Sequence, residues 1–129
     1  MSKNTSRREF LGASVAAVAP GPNDTINLGL IGCGARGRGV LIPGFLKLPG
    51  ARFAAVCDLN SNHLAEGRKR AGGEPVAAYH DYRKLLEDKN IDAVIIATNA
   101  QWHVLPAIAA CQAGKDVYME KPAGNCIGE

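Results

Sequence analysis

The chain's 129 residues, 47% hydrophobic and 21% charged, have the balance of one folded domain with a real apolar core, which excludes a disordered chain. The formal charge of +3 comes from basic residues scattered among acidic ones, so no basic stripe argues for a nucleic-acid partner, and no apolar stretch is long enough to span a membrane as a helix. Cys33, Cys57, Cys111 and Cys126 show no C-x-x-C or mixed Cys/His spacing; this speaks against a zinc site or a disulfide framework, and the default for all four is a small buried hydrophobe.

Residues 1–24 differ from the rest. Thr5-Ser6-Arg7-Arg8-Glu9-Phe10-Leu11 precedes a small apolar stretch, Gly12 to Ala19, without acidic residues, and a Pro20-Gly21-Pro22-Asn23-Asp24 linker follows. The segment resembles a twin-arginine export signal, a route that carries folded proteins, so a periplasmic or other extracytoplasmic location is expected. The alternative is a plain tail with a chance arginine pair, which would leave the protein in the cytoplasm. The apolar stretch is short, and Pro20 follows the small-residue pattern Ala17-Val18-Ala19, where a cut is disfavoured.

From residue 25 onward apolar runs alternate with helical patterns, the signature of an α/β fold with a parallel sheet covered by helices. The first strand is Ile26 to Ile31. It runs into Gly32-Cys33-Gly34-Ala35-Arg36-Gly37, a G-x-G-x-x-G turn opening a helix, where backbone N–H groups and the helix dipole can hold a pyrophosphate. Gly32 permits the tight turn, Gly34 lets backbone approach phosphate, and Gly37 lets the helix pack closely on the strand. By itself the pattern also suits any glycine-rich strand-to-helix loop. The helix is expected from about Arg36 to Leu48, disturbed by Pro43 and stopped by Pro49-Gly50.

The second strand, Phe53 to Cys57, ends at Asp58, 21 positions after Gly37. A carboxylate there can accept hydrogen bonds from both adenosine ribose hydroxyls and repels a 2′-phosphate, which favours NAD over NADP; the alternative is that Asp58 only caps the next helix. Arg36 and Arg38 beside the loop keep NADP in consideration. A helix from near Ser61 to Gly72-Gly73 carries Arg68, Lys69 and Arg70 at its negative dipole end. A short third strand, Val76 to Tyr79, precedes a helix Tyr82 to Asp88 with Asp81 as N-cap and Leu85 and Leu86 on its apolar face. Ala93-Val94-Ile95-Ile96-Ala97 is β-branched and continuous, as a strand buried on both faces must be. The next helix spans about His103 to Ala113, with Pro106 in its first turn and Gly114 as its stop, and Asp116 to Glu120 forms the fifth strand.

The glycine loop, Asp58, Asp81-Tyr82-x-x-Leu85-Leu86, Ile91 to Thr98, Trp102-His103, and Ala113-Gly114-Lys115-Asp116-Val117-Tyr118-Met119-Glu120-Lys121-Pro122 occur in the order found in one family. Over Ile26 to Pro122 the chain resembles the N-terminal domain of the Gfo/Idh/MocA oxidoreductases, with Glu-Lys-Pro at the end of the fifth strand as the specific block. The resemblance implies a Rossmann-like sheet of about five parallel strands in order 3-2-1-4-5, occupying residues 25–129, with helices on both faces. It implies NAD(P) held by Gly32, Gly34, Ala35, Arg36, Gly37, Asp58, Thr98, Asn99, His103, Glu120 and Lys121.

The resemblance also implies that Lys121 sits where nicotinamide meets substrate. An ammonium there steadies a developing oxyanion, and a desolvated lysine helps move the hydroxyl proton. Glu120 is expected to orient Lys121 or the cofactor, and Pro122 forces Lys121 into an extended backbone that a cis bond would aim into the cleft. His103 is a second candidate catalytic residue, although a histidine at a helix start serves equally well as a cap or packing residue. Thr98-Asn99 replaces the family's usual Thr-Pro, with Asn99 still able to donate to ribose or nicotinamide. His63 and His80 carry no motif and are expected on the surface.

Family members continue with a second α/β domain that supplies most of the substrate pocket. The chain ends at Glu129, seven residues after Pro122, so an incomplete domain with exposed pairing edges and a tendency to associate is expected. The functional expectation is the nucleotide-binding part of an oxidoreductase acting on a sugar, polyol or related hydroxyl, homo-oligomeric when full length. The alternatives are an NAD-dependent glycosidase, from the branch of the family that hydrolyses glycosides through a transient oxidation, and a non-catalytic nucleotide-binding fragment.

Overall fold

A computed structural model describes residue 21 and residues 23–128. The arginine pair and apolar stretch of the export-like segment lie outside the described residues. Five strands, β1 (Ile26–Ile31), β2 (Ala51–Cys57), β3 (Ala77–Tyr79), β4 (Ala93–Ile96) and β5 (Asp116–Met119), form one sheet in the order β3-β2-β1-β4-β5. Every pairing is parallel, as expected for strands joined through helices.

Alternation along the strands sorts side chains into two cores. On one face Leu28, Leu30, Phe53, Val56 and Ile95 meet Leu41, Ile42, Leu64 and Ala71. On the other, Ile31, Ala55, Cys57, Val94 and Ile96 meet Leu85, Leu86 and Ala110. Phe53 and Val56 share a face although three residues apart, because the register jumps from Leu28 opposite Phe53 to Gly29 opposite Ala55, leaving Ala54 as an extra residue.

The first helix, α1, is shorter than expected and irregular. It is π-wound over Gly37–Leu41 and α-helical over Ile42–Phe45. The Ile42 N–H reaches back five residues to the Gly37 carbonyl, and the next residue, Pro43, has no N–H to give. Residues 46–50 form turns, so the expected extension to Leu48 does not occur, and β2 instead starts two residues early, at Ala51.

The other helices are α2 (Ser61–Ala71), α3 (Tyr82–Glu87) and α4 (Val104–Gln112), the last preceded by a 3-10 turn over Ala100–Trp102. Asp81 caps α3 as expected, accepting from the Arg83 N–H at 2.9 Å. The cap of α2 is Asn60, whose side chain accepts from the N–H groups of Asn62 and His63. Two cysteine expectations fail. Cys33 and Cys57 are buried, but Cys111 and Cys126 are exposed.

Candidate functional site

The strand C-termini carry the site. Gly32 follows β1 with φ +100°, a left-handed conformation, and an added Cβ would sit 2.6 Å from the Ala97 carbonyl carbon. Its N–H donates to the Cys57 carbonyl at 2.8 Å, so the loop is wedged between the ends of β2 and β4. An added Cβ at Gly37 would overlap the Gly32 carbonyl oxygen, which is the close helix-to-strand packing expected. At Gly34 a Cβ would meet nothing within 4 Å. The loop backbone is therefore open to approach at the position where phosphate contact was expected. The Arg38 N–H is bonded back to the Gly34 carbonyl at 3.0 Å, so the N–H groups before it lie at the open end of α1.

Asp58 stands at the tip of β2 with its side chain 15% exposed. Oδ2 accepts from the Cys33 N–H at 2.7 Å and Oδ1 from the Asn60 N–H at 2.8 Å. The carboxylate thus braces the glycine loop and its own turn, and since Asn60 caps α2, Asp58 does not. Each oxygen retains acceptor capacity beyond these bonds. A cleft of about 580 Å³ opens here, lined among others by Gly32, Gly34, Asp58, Thr98, Asn99 and Trp102. Its size suits a small-molecule or cofactor site.

Three residues of this cleft carried no functional reading in the sequence. His63 Nδ1 lies 3.8 Å from Asp58 Oδ2, and His80 Nδ1 lies 3.1 Å from the Asp58 carbonyl oxygen; both line the cleft. Asp81 lines it too, its carboxyl held below the usual range by the Arg83 side chain and N–H. The available signal was position: His80-Asp81 follows β3 as Asp58 follows β2, on the sheet edge where ligands collect in open α/β folds.

Glu120, Lys121, Arg36 and His103 are not on the cleft wall. They gather beside it, at the end of β5. Glu120 continues from β5, its N–H bonded to the Ile96 carbonyl at 3.0 Å, and its carboxylate pairs with Arg36 Nη2 at 2.9 Å. Lys121 is exposed, and the Lys121–Pro122 peptide is cis. His103 is 2% exposed. Its Nδ1 lies 2.8 Å from the Pro122 carbonyl oxygen and its Nε2 3.0 Å from that of Thr98, so neither ring nitrogen is turned to the cleft as a contact residue's would be. Thr98 spends its hydroxyl on the Trp102 carbonyl at 3.0 Å. The Cys33 and Cys57 thiols, desolvated by burial and near Asp58, are both pushed up to about 12 and are not nucleophiles.

A glycine turn open at Gly34, an acidic β2 tip and a 3-2-1-4-5 sheet make the donor set of a dinucleotide site, and the residues present fit one. The family model described as "Oxidoreductase family, NAD-binding Rossmann fold", GFO_IDH_MocA, matches residues 26–126. The chain belongs to this family. It is an NAD(P)-binding Rossmann domain of the family's oxidoreductases.

Among curated relatives, a glycosyl hydrolase family 109 protein of Saccharopolyspora erythraea is 36% identical over 95% of this chain and 28% of its own length. One from Shewanella sp. (strain ANA-3) is 37% identical over 92% of this chain and 27% of its own. Among solved structures, the WlbA dehydrogenase of Bordetella pertussis, in complex with NADH and UDP-GlcNAcA, superimposes with TM-score 0.70 at 29% identity, covering 78% of this chain and 30% of that one. KijD10, a 3-ketoreductase from Actinomadura kijaniata in complex with NADP, gives TM-score 0.69 at 31% identity, covering 78% and 31%. The myo-inositol 2-dehydrogenase of Lactobacillus plantarum gives 0.70 at 30% identity, covering 81% and 30%. The chain therefore spans less than a third of the length of these relatives.

Proposed function

We propose that this domain holds NAD for hydride removal from a sugar or polyol hydroxyl, with Lys121 at the reacting group. The observation that carries the reading is one of placement: the glycine loop, Asp58 and the Glu120-Lys121-Pro122 turn lie side by side at one end of a single sheet. Gly32, Gly34, Ala35 and Gly37 would offer the pyrophosphate backbone rather than side chains, with Thr98 and Asn99 along the opposite wall. Bound nicotinamide supplies the hydride acceptor. The hydroxyl must lose its proton as the carbon gives up hydride, and Lys121 steadies the oxyanion or takes part in moving that proton.

Asp58 supports NAD over NADP, and the position of Arg36 adds to this. Its guanidinium pairs with Glu120 at the end of β5, three strand spacings or about 14 Å from β2 and turned away from Asp58, while Arg38, close enough to act on Cys33, keeps NADP as the alternative. Export of the folded, nucleotide-loaded protein is supported by the residue 5–11 motif, and homo-oligomeric assembly belongs to the same reading. A second reading, an NAD-dependent glycosidase, is favoured by the names of the curated relatives.

The test is turnover by the complete protein with NAD and panels of polyols, sugars and glycosides. Reduced nucleotide accumulating one-for-one with oxidised product establishes the dehydrogenase. Free sugar released without net reduced nucleotide establishes the glycosidase, and nucleotide binding without either overturns both. Lys121→Ala should cost about 10²–10⁴-fold in either turnover while leaving NAD affinity intact.

A further inference from the structure

His103 sits between two loops rather than in the cleft. It precedes α4, and its ring bridges the Thr98 carbonyl at the end of β4 and the Pro122 carbonyl just beyond Lys121. At 2% exposure the ring has no water to replace these partners. Both partners are acceptors, so the imidazole acts only as a donor here, one N–H at a time when neutral and both when protonated. On the other flank of Lys121, Glu120 is tied to Arg36, but that arginine side chain is 56% exposed and its ion pair competes with solvent. Of the two fastenings the buried one carries more.

We propose that His103 is a positioning residue: by holding the Pro122 carbonyl against the Thr98 carbonyl it fixes the Lys121 turn relative to the end of β4, where the nucleotide cleft begins. The proposal rests on the reading of Lys121 as the group at the reacting hydroxyl. A residue that only stabilised the fold would weaken nucleotide binding and turnover together; a positioning residue lowers turnover more than binding, since the glycine loop and Asp58 do not depend on its bonds and only the Thr98 wall of the cleft does.

The experiment compares His103→Leu, which removes every donor, with His103→Gln, whose single amide nitrogen can reach one of the two carbonyls, in the complete protein. Leucine should lower kcat by about tenfold or more while the Kd for NAD rises by less than about threefold, and glutamine should recover part of the loss. Amide hydrogen exchange gives a reading free of activity: with leucine, the Glu120 amide, bonded to the Ile96 carbonyl, exchanges faster than in the parent, while residues 32–37 are unchanged. Equal exchange rates, an unchanged kcat in a folded leucine variant, glutamine no better than leucine, or a Kd that weakens in step with kcat each overturn the proposal. A parent protein that binds NAD but turns nothing over removes the role assigned to Lys121, and the exchange measurement then decides on the fastening alone.

Discussion

Small residues do opposite things at different points of this domain, and the space around each decides which. Gly67 on α2 faces Cys33 so closely that an added Cβ would lie 2.7 Å from its Sγ, within a glycine loop that is itself held between the ends of β2 and β4. Gly67→Ala should therefore destabilise by about 1–3 kcal/mol through overpacking, and should weaken NAD binding by pushing on the loop. Gly44, in the α-helical part of α1, has nothing within 4 Å of an added Cβ and no positive φ, so Gly44→Ala should stabilise by about 0.5–1 kcal/mol. Denaturant midpoints of the two variants check both signs. The cysteines behave as differently. Cys33 and Cys57 are held neutral up to about 12 against 9.0 for a free thiol. Between those values the unfolded chain has lost protons that the folded one keeps, so their contribution to stability is whole below pH 9 and declines as pH rises toward 12. A thiol reagent at neutral pH should accordingly modify Cys111 and Cys126 in the native protein, and all four only after unfolding. Rapid native labelling of Cys33 would contradict its burial.

Elements whose cause is local were legible in the chain, and those decided by contact were not. Strand β4 was readable because Val94, Ile95 and Ile96 are β-branched and must be buried on both faces, and Asp81 because its side chain caps its own helix. The glycine loop was legible in the turn made by Gly32 and the close packing at Gly37. The π-wound start of α1 was not, since it depends on how the Gly37 carbonyl is reached from Ile42 ahead of Pro43, nor was the extra residue at Ala54, which only pairing with β1 reveals. In the site, the place of Asp58 at the tip of β2 followed from its spacing, whereas the burial of His103 between two carbonyls needs β4 and β5 side by side. Lys115 shows the same limit. Within the family-like block it carried no role, yet its Nζ donates to the Asp88 and Ile91 carbonyls, both at 2.8 Å, and closes the turn into β4 at the sheet end remote from the cleft. Lys115→Met should cost about 1.5–3 kcal/mol of stability without changing NAD affinity, measured by denaturation and by nucleotide titration.

At the scale of the molecule, the cleft is assembled from the ends of β1, β2, β3 and β4, so a ligand in it is linked to the fold as a whole. Nucleotide at about a hundred times its Kd adds about 2.7 kcal/mol to stability by mass action, whatever the margin without it. This linkage bears on the arginine pair at residues 7 and 8. A protein that needs a cytoplasmic nucleotide must close around it before crossing a membrane, and a route for folded chains preserves the complex, whereas threading an unfolded chain would shed it. Changing Arg7 and Arg8 to lysine should keep the complete protein in the cytoplasm, folded and still loaded with nucleotide. Asp58→Ala should impair export only so far as it lowers the folded fraction. Cell fractionation with a nucleotide assay on each fraction separates the two effects, and export undiminished in the double lysine variant would return residues 1–24 to a plain tail.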